Sequence, residues 1–232
     1  MNKESRVLAI IPARGGSKGI PRKNIIDFNG APLLSYTINQ AHECALIDRV
    51  LVNSEDKEIR QVAMQYGADV MSRPNEFHHD NSIQEVDRML YWIVGELEKN
   101  GEEYDIIVLM YPTAPLRNVD ALHKAISMVQ NEAYDSVLSV YEDSTYLWRL
   151  KGDEVEPTNY NPETRGPRQK EDWNQWAENK AVYAFRKDLL MSTKCRLGGK
   201  IGSVEMSKLE SIDIDGLDDL EIAKLIHSRR LK

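Results

Sequence analysis

Between Val7 and Tyr141, short apolar runs alternate with longer stretches of helical periodicity, and this rhythm leaves few folds open. Val7 to Ile11 and Asp105 to Met110 are almost continuously apolar, as strands buried on both faces must be. Arg49 to Asn53, Ala68 to Met71 and Ser136 to Tyr141 read as further strands. Between the strands the apolar residues fall at helical spacing, in four sets. These are Leu34, Ile38, Ala41 and Ala45; Ile59, Val62, Ala63 and Tyr66; Ile83, Val86, Leu90, Val94 and Leu97; and Leu122, Ile126 and Val129. Gly67 and Asn100-Gly101 end two of the helices. Alternation of this kind gives a mostly parallel sheet covered by helices on both faces, so the expected fold is an α/β, Rossmann-like three-layer sandwich. A chain of 232 residues is large enough for a sizeable core and is expected to be one domain, residues 1–232.

The rhythm breaks at residues 142–178, which hold Pro157, Pro162, Pro167, Gly152, Gly166 and many charges. The same stretch carries Trp148, Trp173 and Trp176, side chains costly to leave in water. It is expected to protrude and to bury its aromatics against a second subunit, making the protein a homodimer. Regular structure is expected to resume at Ala181 to Phe185 and Ile201 to Met206. A last strand into Ile212-Asp213-Ile214-Asp215 and a helix from Leu217 to Arg229 close the chain.

The first strand runs into a loop in which Gly15, Gly16 and Gly19 sit beside Arg14, Lys18, Arg22 and Lys23. Glycines let backbone N–H groups approach a ligand closely, and clustered cations repel one another unless an anion sits among them. A polyphosphate meets both conditions. The spacing matches neither G-x-x-x-x-G-K-[ST] nor G-x-G-x-x-G, so neither the P-loop nor the dinucleotide-binding loop is indicated. The chain as a whole carries a net charge of −7, which argues against a nucleic-acid partner and makes the basic loop a local device. With a polar N-terminus leading straight into the first strand, no run of membrane-spanning length, and Cys44 and Cys195 isolated, the protein is expected to be cytoplasmic.

Ligands of open α/β sheets sit outside the carboxyl ends of the strands, and three clusters fall there: Arg14 to Asn24, Tyr111 to Arg117, and Asp213 to Asp215. Asp213 and Asp215 alternate with isoleucines, so their carboxylates share a side and suit Mg²⁺. The competing reading, an acidic helix start, is supported by Asp218 and Asp219 just beyond. Pro112 and Pro115 stiffen the second cluster. Ser82 can hydrogen-bond a base edge or simply cap the helix that begins at Ile83. His78-His79-Asp80 reads as a solvated turn rather than a metal site.

The string Ile11-Pro12-Ala13-Arg14-Gly15-Gly16-Ser17-Lys18-Gly19, continued by Lys23-Asn24, resembles the opening motif of the acylneuraminate cytidylyltransferases (CMP-sialic acid synthetases). Tyr111-Pro112-Thr113-Ala114-Pro115-Leu116-Arg117 resembles that family's Gln-Pro-Thr-Ser-Pro-Leu-Arg, with Tyr111 and Ala114 as departures. Ser72-Arg73-Pro74 with Ser82, Glu178-Asn179-Lys180-Ala181-Val182-Tyr183, and Ile212-Asp213-Ile214-Asp215 resemble further family segments, Lys180 standing where the family has glycine. The resemblance implies a nucleotide-diphospho-sugar-transferase type of fold that transfers CMP from CTP to an acidic nine-carbon sugar. It implies Ala13 to Lys18, Lys23, Asn24, Arg73 and Ser82 at the nucleotide, with Arg14, Lys23 and Asp215 catalytic and Mg²⁺ on Asp213 and Asp215. On the sugar it implies Tyr111, Pro112, Thr113, Arg117, Arg165, Arg168, Gln169, Glu178 and Asn179. Arginine is the side chain that grips a carboxylate at two points, which makes Arg168, then Arg165, the expected partner of the sugar's carboxylate. Because Tyr111 replaces a sugar-facing glutamine, legionaminic, pseudaminic or Kdo-type sugars are the alternative acceptors. A nucleotide-binding regulator without chemistry is the alternative of another class.

Overall fold

The computed structural model describes residues 5–17, 19–74, 77, 83–131, 133–164 and 174–230. In chain order its elements begin with β1 (Val7–Pro12), the short strands β2 (Asp27–Phe28) and β3 (Ala31–Pro32), and α1 (Leu33–Glu43). Then come β4 (Arg49–Ser54), α2 (Lys57–Gln65), β5 (Asp69–Ser72), α3 (Ile83–Lys99), β6 (Ile106–Leu109), α4 (Val119–Gln130) and β7 (Ser136–Glu142). The hairpin strands β8 (Trp148–Lys151) and β9 (Glu154–Pro157) precede β10 (Trp176–Arg186), α5 (Lys187–Thr193), β11 (Ile201–Glu205) and α6 (Leu217–Arg230).

The central sheet has seven strands in the order β11-β7-β10-β6-β1-β4-β5. All run parallel except β10, which is antiparallel to both neighbours. The chain winds outward from β1 through β4 to β5, then returns to β6 on the other side of β1. That reversal opens a crevice at the carboxyl ends of β1 and β6, the place where such sheets bind ligands.

Alternation along the strands divides the core between two helical layers. Val7, Ala9 and Ile11 of β1, with Ile106 and Val108 of β6, pack against α1, α2 and α4. Leu8, Ile10, Ile107 and Leu109 face the other way, against α3 and the Leu190 turn of α5. Burial on both faces explains why these strands read as unbroken apolar runs. A third cluster, holding Phe28, Leu33, Leu116 and Ile214, seats α6 through Leu220 and Ala223.

The α/β sandwich is thus as expected, with three differences. Residues 212–215 form no sheet strand. The Ile/Asp alternation there reflects an extended segment, Ile212 and Ile214 packing under α6, with one backbone bond from Ile214 N–H to the Thr113 carbonyl (2.8 Å). The irregular region contains the β8–β9 hairpin, and β10 begins inside it at Trp176. The short helix α5 has too few residues to show a period. Among the described residues, no helix is long and apolar enough to cross a membrane.

Candidate active site

Four segments meet at the carboxyl edge of the sheet: the loop after β1, the loop after β6, the early part of β10, and residues 213–215. They line a cleft of about 310 Å³ whose wall includes Arg14, Ser17, Lys23 and Asn24, then Tyr111, Pro112 and Thr113, then Glu178 and Lys180, and finally Asp213 and Asp215. Three sequence clusters placed at strand ends therefore do share one cavity.

The glycine-rich loop is held from below. Asn24 is almost wholly buried and donates Nδ2–H to the Arg14 carbonyl (2.8 Å), fixing the backbone that carries the Arg14 side chain. Gly15 donates its N–H to Glu55 Oε1 (2.6 Å) and lies so close to Asp56 that an added Cβ would meet Oδ2 at 2.6 Å. Gly19 abuts the Asp215 carbonyl, with 2.2 Å left for a Cβ, so this loop and the aspartate segment fit only because the side chain is missing. The clustered cations separate. Arg22 leaves the cleft for Asp56 and Glu58 at the start of α2, and its bond to Asp56 holds the guanidinium above and the carboxyl below their ordinary values. Lys23 stays, its Nζ donating to the Ile214 carbonyl (2.6 Å) and pairing with Asp215 (3.2 Å).

Asp213 faces Lys180, whose Nζ lies 3.0 Å from Oδ2; this bond raises the lysine pKa. The other oxygen, Asp213 Oδ1, is buried without a hydrogen-bond partner. An orphaned carboxylate oxygen in a cleft that a second carboxylate also lines suits a divalent cation. Among the described residues no three His, Cys, Asp or Glu side chains are grouped to hold a metal. Asp213 and Asp215 are therefore a pair rather than a full ligand set, as fits an ion that keeps phosphate and water ligands. Asp219 behaves differently: its Oδ2 accepts the N–H groups of Asp215 and Gly216 (3.0 and 2.8 Å), capping α6.

Lys180 sits in a bulge. β10 pairs Glu178 with Val140 and Tyr183 with Leu138, so its register against β7 shifts between them, and Lys180 takes φ of +58°. Buried Asn179 closes the bulge, accepting the Ala181 N–H (3.1 Å) and donating to Ser211 Oγ (2.8 Å). Asn179 thus props the wall rather than forming it.

Two further sequence candidates also lie behind the wall. Arg117 is 3% exposed and spends its guanidinium on the Ala181 and Tyr111 carbonyls (2.6 and 2.8 Å) and on Gln40 Oε1 (2.8 Å). It is expected among the sugar contacts, yet it does not reach the cleft; burial with only neutral acceptors pulls its pKa down. Arg73 reaches the wall, but Nε and Nη2 donate to Asn53 Oδ1 (2.9 Å) and the Asn53 carbonyl (3.1 Å). Lys18, His78, His79, Asp80, Ser82, Arg165, Arg168, Gln169 and Trp173 lie outside the described residues.

The end of the cleft beyond Tyr111 holds a group that sequence reasoning missed. Arg196 is 3% exposed, pairs with Asp87 through Nη1 (2.5 Å), and stacks its guanidinium over the Tyr183 ring at 4.6 Å. Tyr183 OH donates to Glu178, and burial together with that bond pushes the phenol pKa up. Burial also raises Tyr111, packed edge-on to Tyr183. Arg196 stands in a short segment without period or motif, so nothing in the sequence singles it out.

A family model described as Cytidylyltransferase matches residues 8–215. The chain belongs to this family. The chain is similar to N-acylneuraminate cytidylyltransferase A of Danio rerio, 34% identical over 227 residues, or 96% of this chain and 51% of that one. The Escherichia coli N-acylneuraminate cytidylyltransferase is 26% identical over 97% of this chain and 53% of its own. The pseudaminic acid cytidylyltransferase of Campylobacter jejuni is 41% identical over 131 residues, 54% of each chain. The chain spans about half the length of these two N-acylneuraminate cytidylyltransferases. Among solved structures, a CMP:2-keto-3-deoxy-manno-octonic acid synthetase complexed with CTP superposes with a TM-score of 0.71. That match is 16% identical and covers 97% of this chain and all of that one, a likeness of fold.

Proposed function

We propose that the protein transfers CMP from CTP to the anomeric hydroxyl of a sialic-acid-like nonulosonic acid and releases pyrophosphate. The observation that carries this reading is the convergence of Arg14, Lys23, Asp213 and Asp215 on one cleft at the switch point of the sheet. The hydroxyl oxygen bonds to the α-phosphorus, the bond from that phosphorus to the α–β bridging oxygen breaks, and the hydroxyl proton passes to solvent. Arg14 and Lys23 bind the triphosphate and stabilise the departing pyrophosphate through their positive charge. Tyr111, Thr113 and Glu178 orient the sugar from the other half of the cleft, and rigid positioning by the Pro112 loop supplies part of the rate. Asp213 and Asp215 would hold Mg²⁺, which offsets charge at the α-phosphate. With CTP as donor, the reaction would belong to the cytoplasm.

Pyrophosphate release across nucleotides and acidic sugars tests the reading. CTP is expected to be preferred, and equal turnover with UTP or ATP counts against it. Asp213→Asn and Asp215→Asn are expected to fold normally and to lose turnover by on the order of a hundredfold, with EDTA abolishing activity. Asp218→Asn, by contrast, should cost only ~0.3–1 kcal/mol of stability. An inactive Asp218→Asn beside active Asp213→Asn and Asp215→Asn would move the metal elsewhere. The likeness to the Campylobacter jejuni enzyme, together with Tyr111, favours a pseudaminic-type sugar as second acceptor, and the same sugar panel decides between the two.

The apolar surface of the β8–β9 hairpin and the start of β10 supports a homodimer. Trp148 is 45% exposed and Leu150 76%, with Val155 and Trp176 also open, a patch of the kind that marks a protein interface. Sedimentation should give a dimer that Trp148→Glu and Leu150→Glu together dissociate; a monomer at all concentrations overturns this.

A further inference from the structure

Lys180 is an odd residue for its place. A lysine with φ of +58° is strained where glycine is not, and strain of this kind persists where the surroundings impose it. Its ammonium lies 3.0 Å from Asp213 Oδ2, while Oδ1 of the same carboxylate remains buried and unpartnered. Across the cleft Lys23 holds Asp215 at 3.2 Å. Each carboxylate assigned to the metal therefore already has a cation of the chain's own.

We propose that Lys180 is a built-in cation at Asp213 that competes with the divalent metal, so that metal enters with the triphosphate rather than before it. This rests on the reading of Asp213 and Asp215 as metal ligands. An ammonium on one ligand and another on its neighbour offset the negative field that would draw a free divalent ion. A triphosphate reverses the balance: it offers both lysines a stronger anionic partner and supplies oxygens to the ion. The bulge of β10 is what delivers the ammonium to this spot, since the residues on either side turn elsewhere: Asn179 inward to Ser211, and Ala181 into the core.

Mn²⁺ binding measured by electron paramagnetic resonance without nucleotide tests the idea. Lys180→Gly should bind Mn²⁺ more tightly than the unaltered protein, by on the order of fivefold, the upper range for a partly exposed ion pair. Lys180→Arg, which keeps the charge, should leave affinity unchanged, and Asp213→Asn should remove the gain when added to Lys180→Gly. Lys180→Gly should melt no lower than the unaltered protein, because glycine takes this backbone without strain. Aspartate-dependent binding that is the same with and without Lys180 overturns this inference alone. Equal tightening by Lys180→Arg does so too. Mn²⁺ binding that ignores Asp213→Asn and Asp215→Asn, even with CTP present, overturns the metal reading and this inference with it.

Discussion

Replacing Arg117 with methionine is expected to cost about 3–5 kcal/mol of folding stability, among the largest single-residue losses this chain can show. The guanidinium is buried, and its acceptors are the Ala181 carbonyl of β10, the Tyr111 carbonyl after β6, and Gln40 of α1. Methionine fills much of the volume but donates nothing, so acceptors out of reach of water lose their partners. Gln40 depends on the same assembly, donating to the Pro115 and Arg117 carbonyls (2.7 and 3.0 Å). Denaturant titration checks this. A loss below ~1 kcal/mol would mean that the carbonyls find other donors.

Gly19→Ala is expected to reduce kcat/KM by on the order of a hundredfold or more, because displacements near 1 Å at a positioned group carry losses of that size. The new methyl would sit 2.2 Å from the Asp215 carbonyl, a backbone atom that cannot rotate away. Either the glycine-rich loop or the aspartate segment must move. Asp215 is tied to Lys23 and Asp219, so any shift separates the cation from the carboxylate it faces. Stability should fall by only ~1–3 kcal/mol, the usual cost of overpacking. Gly95→Ala is the control: nothing lies within 4 Å of its Cβ, the position is helical, and stability should rise by ~0.5–1 kcal/mol. Near-normal turnover by Gly19→Ala would show that the two segments need not touch for catalysis.

The sandwich was legible because strands buried on both faces and helices with one apolar stripe leave different periods, and α1 to α4 show theirs plainly. The cleft was legible where its residues follow strands directly, as Arg14 and Tyr111 do. Side-chain direction was not. Arg117 stands in the same loop as Thr113 yet points into the protein, because an unsatisfied cluster of carbonyls lies that way and sequence carries no sign of it. Ile212 to Asp215 imitates a strand, since an extended segment packed on a helix alternates as a strand does. Arg196 and Asp87 form their pair across distant segments, and a pair of that kind has no local period at all.

The reversed strand β10 also sets an order of assembly. β5, β4, β1 and β6 can pair once residue 109 has been made, but β7 bonds only to β10 and β11, both later in the chain. Until Trp176 to Arg186 are synthesised, β6 keeps an open edge and β7 has no neighbour in the sheet. β10 must then thread between them, a step dominated by contacts distant in sequence and correspondingly slow. During that interval two apolar strands stand open to pairing with other chains, and a nascent chain halted before Trp176 would present both. The strand that bends Lys180 into the cleft is thus also the one whose late arrival decides whether the sheet closes or aggregates.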